Sequence, residues 1–452
     1  MPSGNVNVSG PILSYANTVD RVAPAVVTVR SSRRVRSPQQ FPFFDDPFFR
    51  QFFGGRVPRG GSTEVEHALG SGVIVRADGY ILTNQHVIDG AEDIKIDLIS
   101  RRTYSAKMVG QDSPSDLAVL KISADDLPVL ELGNSDQVRV GDVCLAVGNP
   151  LGVGESVTAG IISAKGRNTG LSNGSFQDFL QTDAPINQGN SGGALVNTRG
   201  ELIGINSQIL SPSGGGNIGI GFAIPSNMAR SVMNQLIGSG KVQRGEVGVG
   251  IQPVTSEIAQ SMGLSRVQGV LVSSVSAGGP ADKAGLKVGD IILQFNGQNV
   301  NDSNTLRNLV AGTAPGNEVT LTILRNGQQQ QMRLRLGELG AQGQTAAGGD
   351  TGGTSGSSGQ RLGVAVVPLT PAIASQLGLK PGTQGLAVQS VDPNGPAAEA
   401  GIQPGDVIQQ VNRQPVRTPE EMRAALARSA GRPPLLLIDR NGGTVFVAVP
   451  MQ

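Results

Sequence analysis

Residues 189–193 read Gly189-Asn190-Ser191-Gly192-Gly193. A serine hydroxyl is a weak nucleophile until a base takes its proton. Glycines on both sides allow a tight turn and leave the hydroxyl uncrowded. They also let backbone N–H groups point at a developing oxyanion. Alone, the pentapeptide also fits an ordinary Gly/Ser turn, because 64 of the 452 residues are glycine, about twice the usual ~7%.

His86 separates these alternatives. The chain has two histidines, and His86 ends the apolar stretch Leu82-Thr83-Asn84-Gln85-His86-Val87. Imidazole is the natural general base for a serine, although a lone histidine there would also read as a core residue. His67, near Glu64 and Glu66, reads as a surface residue. Asp116, in Ser113-Pro114-Ser115-Asp116-Leu117-Ala118-Val119-Leu120, supplies a carboxylate to orient the imidazole and stabilise its charge. It also fits a strand-start aspartate, and Asp112 is a nearby rival. The order His86, Asp116, Ser191 is the chymotrypsin order, not that of subtilisin or the α/β-hydrolases.

The surrounding pattern agrees. Val26-Val27-Thr28-Val29, Gly72-Val73-Ile74-Val75 and Val143-Cys144-Leu145-Ala146-Val147 are short strand-like runs punctuated by Gly, Asn, Asp and Pro. Short strands across the first ~240 residues argue for barrels or sandwiches, with helical periodicity appearing over Asn227 to Ile237. The second half contains a repeat. Val247-Gly248-Val249-Gly250-Ile251 aligns with Leu362-Gly363-Val364-Ala365-Val366, and Gly279-Pro280-Ala281 with Gly395-Pro396-Ala397. Gly289-Asp290-Ile291-Ile292 aligns with Gly405-Asp406-Val407-Ile408. Two copies make a tandem module rather than a solenoid. The Gly/Ser-rich stretch between them predicts a flexible linker with a root-mean-square span of roughly 25 Å. The second copy is therefore expected to move widely relative to the first.

Composition excludes other classes. With 36 basic and 35 acidic residues, the near-neutral balance gives no electrostatic case for nucleic acid. No apolar stretch is long enough for a transmembrane helix. The single Cys144 excludes an internal disulfide framework and a cysteine zinc site, and reads as an inert core thiol. No metal-ligand cluster or cofactor motif stands out. The first residues show neither the basic start nor the apolar run of an export leader, which fits a cytosolic protein or a mature exported form.

Thr83-Asn84-Gln85-His86-Val87, Ser115-Asp116-Leu117-Ala118 and Gly189-Asn190-Ser191-Gly192-Gly193-Ala194-Leu195 resemble the three active-site motifs of the HtrA family of serine proteases, Do (DegP/DegQ) type. The resemblance runs from about Ser14 to the C-terminus. Gln85 stands where the family motif usually has a second Asn. The resemblance implies a mainly β fold, a chymotrypsin-like double β-barrel protease domain followed by two α+β PDZ domains. It places the protease domain at 1–240 and the first PDZ domain at 241–339. The linker falls at 340–360 and the second PDZ domain at 361–452.

It further implies that Ser191 is the nucleophile, His86 the base and Asp116 its orienting carboxylate. Gly189 and Ser191 N–H groups form the oxyanion hole, with Asn190 nearby. Ile186 and the segment from Asn206 through Gln208 to Gly216 are expected at the primary specificity pocket. They carry no acid to select Lys or Arg, so a small apolar residue is expected there; Ile186 also fits a plain core position. In the first module, Val247, Gly248, Val249 and Gly250 read as a nest for a C-terminal carboxylate beside a strand edge, with Arg244 assisting. The helices Ser303 to Ala311 and Pro419 to Ala427 would wall the two grooves.

Phe41 to Phe53 holds seven of the twelve phenylalanines. Such a segment does not stay bare in water. It fits a lipid-contacting patch, a satellite core, or the family's long LA loop, here about 31–62, which reaches a neighbouring subunit. The last reading implies a homo-oligomer, a trimer with larger trimer-based cages. Gly148-Asn149-Pro150-Leu151-Gly152 resembles the family's L1 loop and also fits a hairpin turn. The function implied is ATP-independent degradation of unfolded or misfolded proteins in the periplasm, without cofactor. The alternative is a chaperone-like holdase with secondary protease activity.

Overall fold

The computed structural model describes residues 14–35, 64–149, 156–169, 176–187, 189–209, 217–340, 362–380, 382–429 and 431–450. The segment Phe41–Phe53, residues 150–152 and all but the first residue of the Gly/Ser linker lie outside them. The chain divides into two compact units, 1–242 and 243–452.

Among the described residues, the first unit holds thirteen strands. They are β1 (Val26–Val35), β2 (Glu64–Ile74), β3 (Tyr80–Thr83), β4 (Asp93–Asp97), β5 (Thr103–Ser105), β6 (Lys107–Asp112) and β7 (Leu117–Lys121), then β8 (Val143–Gly148), β9 (Ser156–Arg167), β10 (Phe179–Thr182), β11 (Ala194–Asn197), β12 (Leu202–Ile209) and β13 (Gly221–Pro225). The first seven form one sheet in the order β5-β4-β1-β2-β3-β7-β6. Its end strands are joined through Ala106 alone, so the sheet must curl. The other six close into a barrel, β10-β13-β12-β11-β8-β9.

Side-chain alternation builds the cores. In β7, Leu117 and Val119 enter the cluster shared by the two sheets, while Ala118 and Leu120 enter the interior of the first sheet. In β8, Leu145 and Val147 join that shared cluster, while Cys144 and Ala146 fill the second barrel. Successive strand residues point to opposite faces, so a strand buried on both sides reads as the unbroken apolar run seen in the sequence. The helix Ser226–Ser239 buries Ala229, Val232, Met233 and Leu236, one helical face, and ends at Gly240 with φ 73°.

The second unit contains both repeats. The first copy comprises β14 (Gly245–Glu246), β15 (Val249–Pro253), β16 (Val270–Val275), β17 (Ile291–Phe295), β18 (Gln298–Asn299), β19 (Glu318–Arg325), β20 (Gln328–Arg335) and β21 (Gly337–Glu338). The second comprises β22 (Val364–Pro368), β23 (Leu386–Val391), β24 (Val407–Val411), β25 (Gln414–Pro415), β26 (Leu435–Arg440) and β27 (Gly443–Ala448). Their main sheets have equivalent orders, β15-β16-β17-β19-β20 and β22-β23-β24-β26-β27. The helices Ser303–Ala311 and Pro419–Ala427 occupy equivalent positions in the two copies.

The duplication extends to chemistry. Arg325 binds the buried Asp290 through two nitrogens and reaches Gly285 O at 2.8 Å. Arg440 does the same to Asp406 and reaches Gly401 O at 2.7 Å.

The wide mobility expected of the second copy is not what the structure shows. Val254, Ile258, Ala259, Leu271, Ile291 and Leu293 of the first copy share one buried cluster with Leu435, Leu437 and Phe446 of the second. The Gln252 amide donates to Phe446 O at 3.0 Å and accepts from Phe446 N–H at 2.7 Å. Thr444 Oγ1 donates to Ser273 O at 2.6 Å. The linker's composition reports only what the connection permits. Contact is decided by the second apolar face of β26, where Leu436 and Ile438 enter the module's own core and Leu435 and Leu437 the seam.

Candidate active site

His86 lies in the single helical turn Gln85–Val87 that follows β3. Asp116 caps the turn Ser113–Ser115 just before β7, with φ 54° and ψ 41°. The neighbouring strands β3 and β7 thus carry imidazole and carboxylate on adjacent ends. The Asp116 main chain helps lock the turn, its carbonyl accepting from Gln85 N–H at 3.1 Å and Asn84 Nδ2 at 3.0 Å. Its carboxylate lies 2.9 Å from His86 Nδ1 through each oxygen and accepts from His86 N–H at 3.1 Å. A carboxylate only accepts, so Nδ1 carries the hydrogen and Nε2 is left as the basic nitrogen.

The rival Asp112 does something else. It caps the same turn, accepting from Ser115 N–H at 3.1 Å and from the Ser115 hydroxyl, and so fixes the backbone that presents Asp116.

Ser191 is buried, 3% exposed. Its Oγ donates to Ser207 O at 3.0 Å, while Ser207 Oγ donates to Asp116 Oδ2 at 3.0 Å. Ser207 therefore touches both Ser191 and the Asp116 carboxylate, a contact the sequence reading did not assign. A hydroxyl has one hydrogen, and in this arrangement Ser191 spends it on Ser207 O. The turn around Ser191 demands glycine at 192. Gly192 has φ 82°, and a Cβ there would collide with the Ser71 carbonyl oxygen and Thr83 Oγ1.

The remaining expected site residues fall in several environments. Asn190 N–H donates to Asn187 O at 3.0 Å, so it is not an oxyanion donor in this arrangement. Asn206 is a structural tie rather than a substrate group. Its Nδ2 donates to Ala194 O at 3.0 Å and Val147 O at 3.4 Å, and its main chain pairs with Gly192 and Gly193. Its residue type suggested a polar lining, but its position at the crossing of β8, β11 and β12 consumes it. Ile186 is buried in the second barrel's core, where Gly221 leaves space for it. The side chain of Gln208 lies outside the described residues.

In the first module, Val247 O accepts from Ala281 N–H and Gly248 O from Ser276 N–H, both at 2.9 Å. Gly248 has φ 77°, and Gly250 N–H is taken by Ser274 Oγ at 3.0 Å, which removes it from the expected nest. Val249 opens β15 opposite Val275. Arg244 sits just before β14, its carbonyl accepting from Leu339 N–H at 2.9 Å. The second copy repeats the loop, with Leu362 O and Gly363 O accepting from Ala397 and Asp392 N–H. Cys144 lies 3.1 Å from Thr182 Oγ1, and burial pushes its thiol up to about 11. Among the described residues, no group of His, Cys, Asp and Glu is arranged to hold a metal ion.

A serine presented on a glycine turn at the closed barrel, a histidine held by an aspartate on the partner sheet, and two tandem modules that follow in the chain define a trypsin-like serine peptidase with a duplicated C-terminal domain. Residues 70–205 match the trypsin-like peptidase domain, and residues 245–336 and 388–440 each match a PDZ domain. The chain is 41% identical over 441 residues to a probable periplasmic serine endoprotease, DegP-like, of Chlamydia trachomatis, covering 97% of this chain and 86% of the relative. It is 42% identical over 446 residues to a DegP-like counterpart from Hahella chejuensis, covering 97% and 93%. The periplasmic pH-dependent serine endoprotease DegQ of Escherichia coli is 43% identical over 426 residues, covering 94% and 89%. The solved HtrA-type protease AlgW with a decapeptide superposes with a TM-score of 0.57 at 48% identity, covering 72% of this chain and 99% of that one. The chain belongs to the HtrA family of serine endoproteases, of the DegP/DegQ kind with two PDZ domains, and is a serine endopeptidase.

Proposed function

We infer that the enzyme degrades unfolded or misfolded proteins of the bacterial periplasm by acyl-enzyme chemistry, with its PDZ modules capturing substrate C-termini. The observation that carries the chemistry is the linked set His86, Asp116, Ser207 and Ser191, in which one serine touches both the carboxylate and the nucleophile. Ser191 Oγ turns from Ser207 O to His86 Nε2, loses its proton and attacks the scissile carbonyl. Asp116 stabilises the imidazolium, which then protonates the leaving amine. Water, activated by the same histidine, releases the acyl group.

The tetrahedral oxyanion is held by the N–H groups of Gly189 and Ser191. Residues 1–240 act as the protease, 241–339 and 361–452 as the two modules, and 340–360 as their connection. The periplasmic names of the relatives support the compartment, and the family pattern supports a trimer.

The test is cleavage of β-casein by the parent and by Ser191→Ala. Digestion by the parent alone is expected. Equal digestion by both overturns the assignment of the nucleophile.

A further inference from the structure

Ser71 sits in β2 opposite Thr28 of β1 and is fully buried. Four hydrogen bonds meet on it. Its N–H donates to Ser191 O at 2.8 Å, and its carbonyl accepts from Thr83 Oγ1 at 2.7 Å. Its hydroxyl donates to Gly189 O at 2.7 Å and accepts from Asn149 N–H at 2.9 Å. Asn149 also gives its side-chain amide to Thr28 Oγ1 at 2.5 Å. Two hydroxyls from paired strands of the first sheet therefore grip the residue that follows β8, and one of them also grips the loop before the nucleophile.

The Gly189 peptide is the sensitive element. Gly189 has φ 95°, a region where glycine pays no Cβ penalty and rotates easily. A trans peptide points its carbonyl and its N–H in opposite directions. Gly189 O is pinned by Ser71, and the N–H of the same peptide, on Asn190, is pinned by Asn187 O at 3.0 Å. The two flanking N–H groups, of Gly189 and Ser191, are each separated from that plane by a single Cα. Packing leaves the neighbourhood little slack, because a Cβ on Gly148 would run into Asn190.

We propose that the Ser71 hydroxyl is a positioning group that holds the Gly189 peptide in the oxyanion-binding orientation and couples that orientation to the placement of Asn149. The hydroxyl has one hydrogen and two acceptor sites. Its hydrogen goes to Gly189 and one acceptor site to Asn149, so the two bonds polarise each other. Displacement of Asn149 weakens the hold on Gly189 without touching the triad. The inference rests on the reading of Gly189 and Ser191 as the oxyanion donors.

The experiment is full-length Ser71→Ala, which keeps both main-chain bonds, assayed on a short peptide. Losing a direct oxyanion donor costs ~10²–10³ in rate, so losing its support is expected to lower kcat about ten- to a hundredfold. KM is expected to stay within about twofold, because ground-state binding does not use the hole. Affinity for a peptide boronate, which forms the tetrahedral adduct, is expected to fall by the same factor as kcat. Thr28→Val, which loosens only Asn149, is expected to give a smaller loss of the same kind.

A kcat within twofold of the parent overturns the proposal, as does a loss confined to KM or a boronate affinity that does not follow kcat. Should Ser71→Ala fail to fold, Ser71→Cys fills the space with a weak donor, and parental kcat in that variant overturns the proposal equally. Ser191→Ala run in parallel separates the two levels. Activity surviving there sinks the site reading itself, while a dead Ser191→Ala beside a fully active Ser71→Ala sinks only the role of Ser71.

Discussion

Replacing Leu437 by Asp is expected to separate the two PDZ modules while leaving each folded. Leu437 is 3% exposed, yet it faces the seam cluster rather than its own module's core. Truncating a buried leucine to alanine costs about 2–5 kcal/mol. An unpaired carboxylate in the same place adds several kcal/mol more. Once the modules part, that carboxylate is solvated and the penalty vanishes, so opening is the cheapest escape. The neighbouring Leu436 has no such escape, because it is fully buried in the module's own core, and Leu436→Asp is expected to unfold the second module. Spin labels on cysteines introduced at the exposed Gln298 and Glu420 report the separation. The parent should give one narrow distance distribution. Leu437→Asp should give a broad one, set by a linker whose own root-mean-square span is roughly 25 Å. A broad distribution in the parent, or a narrow one in Leu437→Asp, would refute the reasoning.

Three further outcomes are expected. Asp116→Asn should lower kcat by about 10⁴ with the fold retained, because a carboxylate that accepts from His86 N–H, His86 Nδ1 and Ser207 Oγ is replaced by a group with donors of its own; a loss under tenfold contradicts its role. Cys144, with its thiol pushed up to about 11 by burial, should resist a disulfide reagent at pH 8 until the protein unfolds, and modification at the rate of a free thiol would contradict the core placement. Burial raises the Asp439 carboxyl above its ordinary range, against the N–H of Gly442. A carboxyl raised on folding contributes most below the unfolded pKa and loses that contribution as pH climbs through the folded value. Asp439→Asn should therefore melt higher than the parent at pH 7, with the gap closing toward pH 4; an equal or lower melting temperature at pH 7 counts against this.

The proposed triad stands out in the sequence because each member lies beside its own local signature: glycines around Ser191, an apolar run before His86 and another after Asp116. The helices Ser303–Ala311 and Pro419–Ala427 were legible to the residue, the first capped by Asp302 and the second by a Thr418/Glu421 capping box. Ser71 and Ser207 were not. They are serines inside strands, and their importance lies wholly in what β2 and β12 bring beside them. Asn206 was misread for the same reason, since residue type suggests a lining but the strand crossing spends it on carbonyls. The seam had a signal that went unread. Leu435-Leu436-Leu437-Ile438 is too continuous for a strand with one wet face, and β17 carries the matching Ile291-Ile292-Leu293.

The two copies do not meet as equals. Where the second presents Leu435, Leu437 and Phe446, the register-equivalent residues of the first are Thr320, Thr322 and Gln331. A head-to-tail contact between identical units repeats until it closes into a ring or grows into a filament. Here only the C-terminal copy owns the plug, and the N-terminal copy, which owns the matching socket, ends in a polar cap where its own plug would be. Duplication of the module followed by divergence on one sheet face has left a junction with a direction and a stop, a pair that couples once and offers the same polar end to every further copy.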